Sequence, residues 1–232
     1  MLVLRVAPAL WLFLSPARRC MEFAMPFDGT SSLGHVVEAA GIPLTEIGSL
    51  RVGGTALPPA HRPAATDVVE VESVHRPQRI TDWDERFLLD VHLGALARRL
   101  RILGVDTAYP AEAGDAALVA RANAERRLLL TQDRGLLKRR ALWAGAYVRG
   151  SRPDDQLADA LDRFAPTLRP WTRCTACNGE VAEVDKDDVA PCLEPGTLRT
   201  QDRFVRCRSC GRVYWRGAHS RRLDRLVARF TA

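Results

Sequence analysis

The sequence predicts a three-part α/β protein. Its middle third alternates short apolar segments with amphipathic helical segments, as in a parallel sheet covered by helices. The segment before it mixes strand-like runs with one short helix, and the tail contains two Cys-x-x-Cys pairs typical of a metal-bound module. We expect the three parts to span residues 1–77, 84–166 and 167–232.

The composition is that of a folded protein that favours polyanionic partners. Of the 232 residues 47% are hydrophobic, the net charge is +6, and the isoelectric point is about 9.3. The hydrophobic share excludes a disordered chain, and the positive charge favours nucleic acid. Most cations are arginine and alanine is abundant, as in GC-rich genomes, so the position of the charge is better evidence than its total.

The apolar stretch LVLRVAPALWLFL at the N-terminus has the composition of a signal peptide but not its organisation. Arg5 interrupts it, Pro8 breaks it, and no small-residue cleavage site follows cleanly. Leu2, Leu4 and Val6 alternate with other residues, which predicts a β-strand. No apolar run is long enough for a transmembrane helix, and we expect a cytoplasmic protein without a membrane partner.

The first segment matches a β-grasp domain. A second strand is expected at residues 20–27, and SSLGHVVEAAG predicts a helix with a serine N-cap and Gly41 as its stop. The two adjacent glycines of RVGGTAL predict a hairpin turn, and DVVEVESV alternates as a strand does. The polar run HRPQRITDWDE then predicts a linker.

The second segment predicts four strands, each followed by a helix. The strands are RFLLDV, VDTAYP, LLLTQD and GAYVRG, and the helices are LGALARRLRILG, GDAALVARANAERR, GLLKRRALWAG and DDQLADALDRFAP. In the first of these helices Leu93, Leu96, Leu100 and Leu103 share one face, as in a helix packed on a sheet.

Three aspartates of this segment are expected at one edge of the sheet. Asp90 ends the first strand, Asp133 ends the third, and Asp115 begins the helix after the second. Ligands of open parallel sheets bind beyond the carboxyl ends of the strands, and clustered carboxylates repel each other without a cation. We therefore predict that these three residues are catalytic and bind Mg²⁺ or Mn²⁺.

Each of these residues also has a purely structural interpretation. Asp115 and Asp133 are suited to cap the helices that follow them, and Asp90 can do the same. Asp106 is a weaker fourth acid that equally suits a turn. Thr131 either orients a ligand or is an ordinary strand threonine.

Paired cysteines in the tail predict a structural zinc site. The pattern C-x-x-C…C-x-x-C, which supplies four thiolates for tetrahedral Zn²⁺, is formed by Cys174, Cys177, Cys207 and Cys210. Disulfides or reducible thiol pairs are the alternative, which a cytosolic chain disfavours. We expect the two other cysteines, Cys20 and Cys192, to be small buried hydrophobic residues.

Arginines interleaved with aromatic residues in the tail favour contact with the phosphates of a nucleic acid over a merely solvated face. Trp215 is suited to stack on a base, although covering a small zinc-bound core is an equal alternative. The predicted nucleic-acid contacts are Arg134, Arg208, Arg212, Trp215 and Arg216.

The stretches LLDVHLGALARRLRILGVDTAY, GDAALVARA and RLLLTQDRGLLKRR resemble a PIN-type ribonuclease domain, in particular that of the Mut-seven C-terminal RNase-domain family. The resemblance implies a PIN-like fold in which Asp90, Asp115 and Asp133 bind a divalent metal and single-stranded RNA is cleaved. Many PIN-type enzymes have four acids and only three are placed here. Either Asp154 or Asp155 supplies a fourth acid, or the metal site is weaker than in strong nucleases. Both residues also suit a helix N-terminus.

The same family accounts for the two ends of the chain. RCTACNGE and FVRCRSCGRVYWRGAHSRRL are similar to its terminal zinc ribbon, and the first segment is similar to the ubiquitin-like domain that precedes the RNase module in many bacterial members. The first segment is also similar to sulfur carriers, which act through a free C-terminal Gly-Gly. Because Gly53 and Gly54 are internal, we expect a module that binds a protein partner instead.

The sequence thus predicts a metal-dependent ribonuclease with catalytic Mg²⁺ or Mn²⁺ and structural Zn²⁺, acting on single-stranded RNA. Two alternatives stay open at this point. One is a non-catalytic RNA-binding zinc-ribbon protein, and the other is a ubiquitin-like adaptor without a role in RNA chemistry.

Overall fold

The computed structural model describes residues 1–215, 224 and 227–230. Within these residues the chain forms a mixed five-stranded sheet, a parallel four-stranded sheet and an antiparallel three-stranded sheet, in that order. The predicted three-part α/β architecture is confirmed. No helix in the described part of the chain is long and apolar enough to cross a membrane.

The N-terminal domain has a β-grasp arrangement, in which a helix covers one face of a mixed sheet. Strand order is β2-β1-β5-β3-β4, and the central pair β1–β5 is parallel while the others are antiparallel. Its elements are β1 (Leu2–Val6), β2 (Glu22–Met25), α1 (Leu33–Ala40), β3 (Ile47–Val52), β4 (Thr55–Ala56) and β5 (Val68–Ser73), with 3₁₀ turns at Pro8–Phe13, Pro16–Arg18 and Leu44–Glu46.

Local signals in the sequence explain these elements. The inward residues of β1 are fully buried against α1, which confirms the predicted first strand. Ser32 caps α1 through the backbone N–H of His35, and Gly41 ends it at a φ of 111°. Gly53 and Gly54, with φ of 56° and 79°, make the predicted hairpin turn between β3 and β4.

The middle domain is a short parallel sheet between two helical layers. Strand order is β7-β6-β8-β9; α2 and α5 cover one face, and α3 and α4 cover the other. The elements are β6 (Phe87–Leu89), a 3₁₀ turn (Val91–Leu93), α2 (Gly94–Ile102), β7 (Thr107–Ala108), α3 (Asp115–Ala124), β8 (Leu128–Thr131), α4 (Arg134–Leu137), β9 (Gly145–Tyr147) and α5 (Pro153–Phe164).

One predicted helix is much shorter than expected. GLLKRRALWAG was predicted to be helical throughout, but α4 ends at Leu137. Beyond it, Trp143 is fixed by hydrogen bonds from its indole N–H to the carbonyls of Ala122 and Arg127, at 2.9 and 3.1 Å. These contacts draw the chain away from the axis of α4 and towards α3 and β8.

The C-terminal module is a three-stranded sheet with a helical insertion. Its elements are β10 (Val181–Val184), α6 (Lys186–Val189), a 3₁₀ turn (Ala190–Cys192), α7 (Pro195–Thr200), β11 (Phe204–Cys207) and β12 (Val213–Trp215). The long spacer between the cysteine pairs therefore holds both a strand and a helical insertion. Farther along the chain, Val227 and Phe230 pack against the core between the sheet of the middle domain and helices α2 and α5.

A buried ion pair joins the first two domains. Glu46 accepts a hydrogen bond from Arg163 at 2.7 Å, and their side chains are 0% and 1% exposed. The other oxygen of Glu46 accepts the backbone N–H of Tyr147, at 2.8 Å, on the edge strand β9. The N-terminal domain thus covers an edge that would otherwise be open to pairing with another chain.

Replacing Glu46 with alanine is expected to destabilise the protein by about 3–5 kcal/mol, because Arg163 would stay buried without its carboxylate. The matched change Glu72→Ala removes an acid with a side chain 51% exposed and is expected to cost less than about 1 kcal/mol. Urea unfolding of both full-length variants measures this difference. Equal losses would show that the domains do not depend on this pair.

Candidate metal sites and nucleic-acid surface

The carboxyl edge of the parallel sheet brings Asp90, Thr131 and Asp133 together. Leu89 of β6 lies beside Leu130 of β8, so Asp90 and Thr131 follow as neighbours. The Thr131 hydroxyl donates to Asp90 Oδ2 at 2.6 Å and accepts the backbone N–H of Asp133 at 2.8 Å. Thr131 therefore links two of the predicted acids; from the sequence it was either a residue that orients a ligand or an ordinary strand threonine.

Asp90 is a buried carboxylate with a fixed orientation. It is 7% exposed, and its Oδ1 accepts the backbone N–H of Val91 at 2.6 Å, which caps the 3₁₀ turn. The predicted capping role is thus present. It leaves room for a ligand role, because each carboxylate oxygen has more than one acceptor site.

Asp133 also combines a capping contact with an open side. Its Oδ1 accepts the backbone N–H groups of Gly135 and Leu136, at 2.7 and 3.4 Å, and so begins α4. The side chain lies at the exposed end of the sheet. Within the described residues no hydrogen bond engages Oδ2, so this oxygen faces an open side at the strand end.

Asp115 is held apart from this pair. It is the first residue of α3, and it accepts a hydrogen bond from Arg139 at 2.9 Å with both side chains 45% exposed. Among the described residues, the ligand atoms of the three aspartates do not all lie within 4.8 Å of one another. Its role as a metal ligand stays a prediction.

The additional acids have structural partners. Asp154 and Asp155 lie in the first turn of α5, where they pair with Arg99 and Arg152 respectively. This is the helix-terminus interpretation that their sequence position suggested.

Asp106 lies at the other end of the sheet, before β7, and accepts hydrogen bonds from Arg127 at 2.6 Å and Asn178 at 2.8 Å. Burial raises the pKa of Asp106, but these hydrogen bonds outweigh it and hold the pKa below its usual value. Asp106 is therefore a structural anion away from the predicted site.

Four cysteine sulfurs form a cluster with the dimensions of a zinc site. Cys174 Sγ lies 3.7 Å from Cys210 Sγ, and Cys177 Sγ lies 3.5 Å from Cys207 Sγ. Four thiolates around one zinc ion are about 3.8 Å apart, whereas a disulfide bond is about 2.05 Å long. Within the described ranges, this is the one group of at least three acidic, His or Cys residues whose ligand atoms are all within 4.8 Å.

Burial and hydrogen bonds shift the pKa values of two cysteines of the cluster in opposite directions. Burial and contact with the other thiols raise the pKa of Cys177 to about 12. Burial also opposes ionisation of Cys174, but hydrogen bonds from the Tyr214 hydroxyl and from backbone N–H groups outweigh it and lower the pKa to about 6. The four thiols cannot ionise side by side on their own, and a bound Zn²⁺ would supply the compensating charge.

The first cysteine pair is fixed to the middle domain by a buried arginine. Arg101, 4% exposed, donates to the carbonyls of Thr107, Thr175 and Ala176 at 2.9, 3.1 and 2.8 Å. Asn178, directly after the pair, accepts the backbone N–H of Thr107 at 2.9 Å. Because Thr107 begins β7, the zinc module attaches at the amino edge of the sheet, opposite the acids.

The remaining cysteines differ from their prediction. Cys20 and Cys192 are exposed rather than buried. Each lies in a connection outside the regular strands, where no core surrounds it.

The predicted nucleic-acid contacts occupy three different places. Arg208 and Arg212 are exposed in the zinc module, and Arg208 lines a cleft of about 460 Å³ at the amino edge of the sheet. Trp215, 40% exposed, packs one side near Phe204 and lines a second cleft, so both of its predicted roles remain open. Arg216 lies outside the described residues.

Arg134 contacts the protein itself. Its two terminal nitrogens donate to the carbonyls of Phe13 and Leu12 in the N-terminal domain. An RNA contact by this side chain stays a prediction, and it would compete with these two hydrogen bonds.

Comparison with known families gives two matches, which together cover most of the chain. The Mut7-C RNAse domain matches residues 85–227, and the Mut7-C ubiquitin domain matches residues 1–79. The fold and the matched families define an RNase-domain protein with a ubiquitin-like N-terminal domain. The chain belongs to the Mut7-C RNAse-domain family, as the resemblance predicted. No curated protein and no solved structure is significantly similar to it.

We expect the full-length protein to bind one Zn²⁺ per chain, and Cys177→Ser to abolish this binding. Structural zinc contributes on the order of 10 kcal/mol at pH 7 in small zinc modules, so the variant's C-terminal module should unfold. Affinity for zinc should rise with pH, because the proton of Cys177 has to leave. Metal analysis and chelator competition measure both effects, with Cys192→Ser as the control that keeps its zinc. Zinc loss in the control, or its retention in Cys177→Ser, would contradict the assignment.

Proposed function

We propose that this protein is a divalent-metal-dependent ribonuclease that hydrolyses RNA phosphodiester bonds at the carboxyl edge of its parallel sheet. The observation that carries the proposal is the hydrogen-bonded series of Asp90, Thr131 and Asp133. It lies where ligands of parallel sheets bind, in a chain whose residues 85–227 match an RNase domain.

The oxygen ligands suit Mg²⁺ or Mn²⁺. Hard cations prefer carboxylate oxygens, and Mg²⁺ in particular is often held by one or two carboxylates together with substrate phosphates. Asp90 and Asp133 fit this description, since one is orientated by Thr131 and the other presents an open oxygen. Asp115 completes the proposed set of three ligands. The bound cation would supply activated water and charge neutralisation at the phosphate.

The chain's own residues provide orientation. Thr131 fixes the direction of the Asp90 carboxylate through one hydrogen bond and the start of the Asp133 segment through another. Both contacts are made by one buried hydroxyl, which connects the Asp90 carboxylate to the backbone at Asp133. Such a support limits the movement of the acids while a phosphodiester is bound.

RNA is the proposed substrate, and the single-stranded form suits this molecule best. Exposed Trp215 offers a stacking surface, and Arg208 and Arg212 offer phosphate contacts. Arg216 extends this set in the sequence. The zinc site has a structural role in this proposal, because four cysteines complete its coordination. Reduced thiols are maintained in the cytoplasm, and we propose that the protein acts there.

The competing function is RNA binding without catalysis. It is favoured by one observation, namely that Asp115 forms an ion pair with Arg139 rather than joining the other two acids. In that case Asp90 and Asp133 serve only as caps, and the zinc module binds RNA.

Replacing Asp133 with asparagine distinguishes the two functions. Asparagine still caps a helix, so the melting temperature should stay close to that of the wild type. Removal of a metal ligand should slow Mn²⁺-dependent cleavage of single-stranded RNA by about 100-fold or more, while RNA binding without metal is unchanged. Gel assays of cleavage and binding measure both quantities.

The control for this experiment is Asp187→Asn, which changes an exposed acid of the zinc module and should leave cleavage unaltered. A wild-type protein that binds RNA but shows no metal-dependent cleavage would establish the competing function.

A further inference from the structure

The short helix that begins at Asp133 is held from outside by the N-terminal domain. Arg134 donates to the carbonyls of Phe13 and Leu12 at 2.9 and 2.6 Å, and its guanidinium lies 5.2 Å from the centre of the Phe13 ring. One turn later, Lys138 donates to the carbonyl of Glu38 at 2.7 Å. Two cations of one segment thus contact three carbonyls of another domain.

These carbonyls form a surface suited to cations. Phe13 ends a 3₁₀ turn and Glu38 lies in the last turn of α1, where carbonyl oxygens have partial negative charge. The Glu38 carbonyl also accepts the backbone N–H of Gly41 at 3.0 Å. The two helix ends lie side by side, because a Cβ on Gly41 would come within 2.6 Å of the Phe13 carbonyl. Glycine at this position therefore allows the surface to form.

Helix α4 requires such support. It contains four residues, and a single turn is not stable without tertiary contacts. Leu136 and Leu137 are buried on its inner side, which fixes how closely the helix packs on the sheet. The contacts of Arg134 and Lys138 hold its outer side and thus its rotation, which determines where the Asp133 carboxylate points.

The rest of the N-terminal domain offers little for another protein to bind. The outward face of its sheet combines the charge pairs of Arg5 with Glu22 and Glu70 with the partly exposed Val3 and Val68, which lie beside each other in β1 and β5. Its large exposed hydrophobic residues, within the described part of the chain, are Met1 and Met21, at opposite ends of β1. The packing surface of this domain is instead used by the middle domain, around Glu46 and Phe13.

We propose that the partner of the ubiquitin-like domain is the RNase domain of its own chain, and that its contacts with Arg134 and Lys138 orientate Asp133 at the candidate metal site. The second half of this statement rests on the proposed function. In this proposal Arg134 and Lys138 are positioning residues, which act on Asp133 through the backbone of α4.

The test compares two full-length variants with the same loss of charge. Arg134→Gln/Lys138→Gln removes the contacts, and Arg62→Gln/Arg140→Gln removes two exposed cations to which no ion pair is assigned within the described residues. Three quantities are measured: amide hydrogen exchange at residues 134–138, the Kd for Mn²⁺ alone, and kcat and KM for RNA cleavage. Melting temperatures confirm that both variants are folded.

In the first variant we expect faster exchange at residues 134–138, a Kd for Mn²⁺ raised by about tenfold and kcat lowered by a similar factor, since residues that orientate ligands have effects of about 10–100-fold. KM should stay the same. The control should match the wild type, and the conservative variant Arg134→Lys/Lys138→Arg should recover most of the Mn²⁺ affinity, because it keeps both donors.

Several outcomes would overturn the proposal. Faster exchange with unchanged Mn²⁺ affinity and kcat would exclude the positioning role. A rise in KM alone would make Arg134 an RNA contact. If the wild type neither binds Mn²⁺ nor cleaves RNA, the proposed function fails. Hydrogen exchange alone then tests whether the N-terminal domain holds α4. Unchanged exchange in the first variant excludes this contact, and faster exchange supports it.

Discussion

The register between β6 and β8 is the constraint on which the candidate site depends. Leu89 lies beside Leu130, so Asp90 and Thr131, which follow these two leucines, lie at hydrogen-bonding distance. A shift of one residue would turn every side chain of a strand to the opposite face, and the leucines that fill both core layers would lose their places. The apolar core thus enforces the meeting of the polar residues at its edge.

Some arginines of the middle domain connect it to the other domains and do not only add charge to the surface. Arg163 binds Glu46 of the ubiquitin-like domain, and Arg101 binds two carbonyls of the first cysteine pair. The planar guanidinium has several donors in fixed directions, so one side chain can join several backbone segments. Buried ion pairs are weak evidence for stability, and their better-supported effect is to specify one geometry. Here that geometry is the placement of one domain at the β9 edge and the zinc module at the amino edge.

Because arginines also connect domains, the net positive charge is weaker evidence for RNA binding. Arg134 was predicted to contact nucleic acid, which stays a prediction, and its two terminal nitrogens donate to carbonyls of another domain. The sequence did not reveal these contacts, since Arg134 is more than a hundred residues from Leu12 and Phe13 and no local pattern indicates that they meet. The same reasoning applies to α4, whose length is limited by the distant contacts of Trp143 with Ala122 and Arg127.

The sequence by itself determined the three domains, the parallel sheet, the hairpin glycines and the cysteine cluster, because each depends on short-range periodicity, turn chemistry or ligand spacing. It also placed Asp90 and Asp133 at strand ends. Only the tertiary structure decided that Thr131 links those two acids, that Asp115 pairs with Arg139, and that the zinc module lies at the opposite edge of the sheet from Asp90. These features arise from side chains that meet across domains and strands, and the free energy of such contacts depends on distances that a linear pattern does not contain.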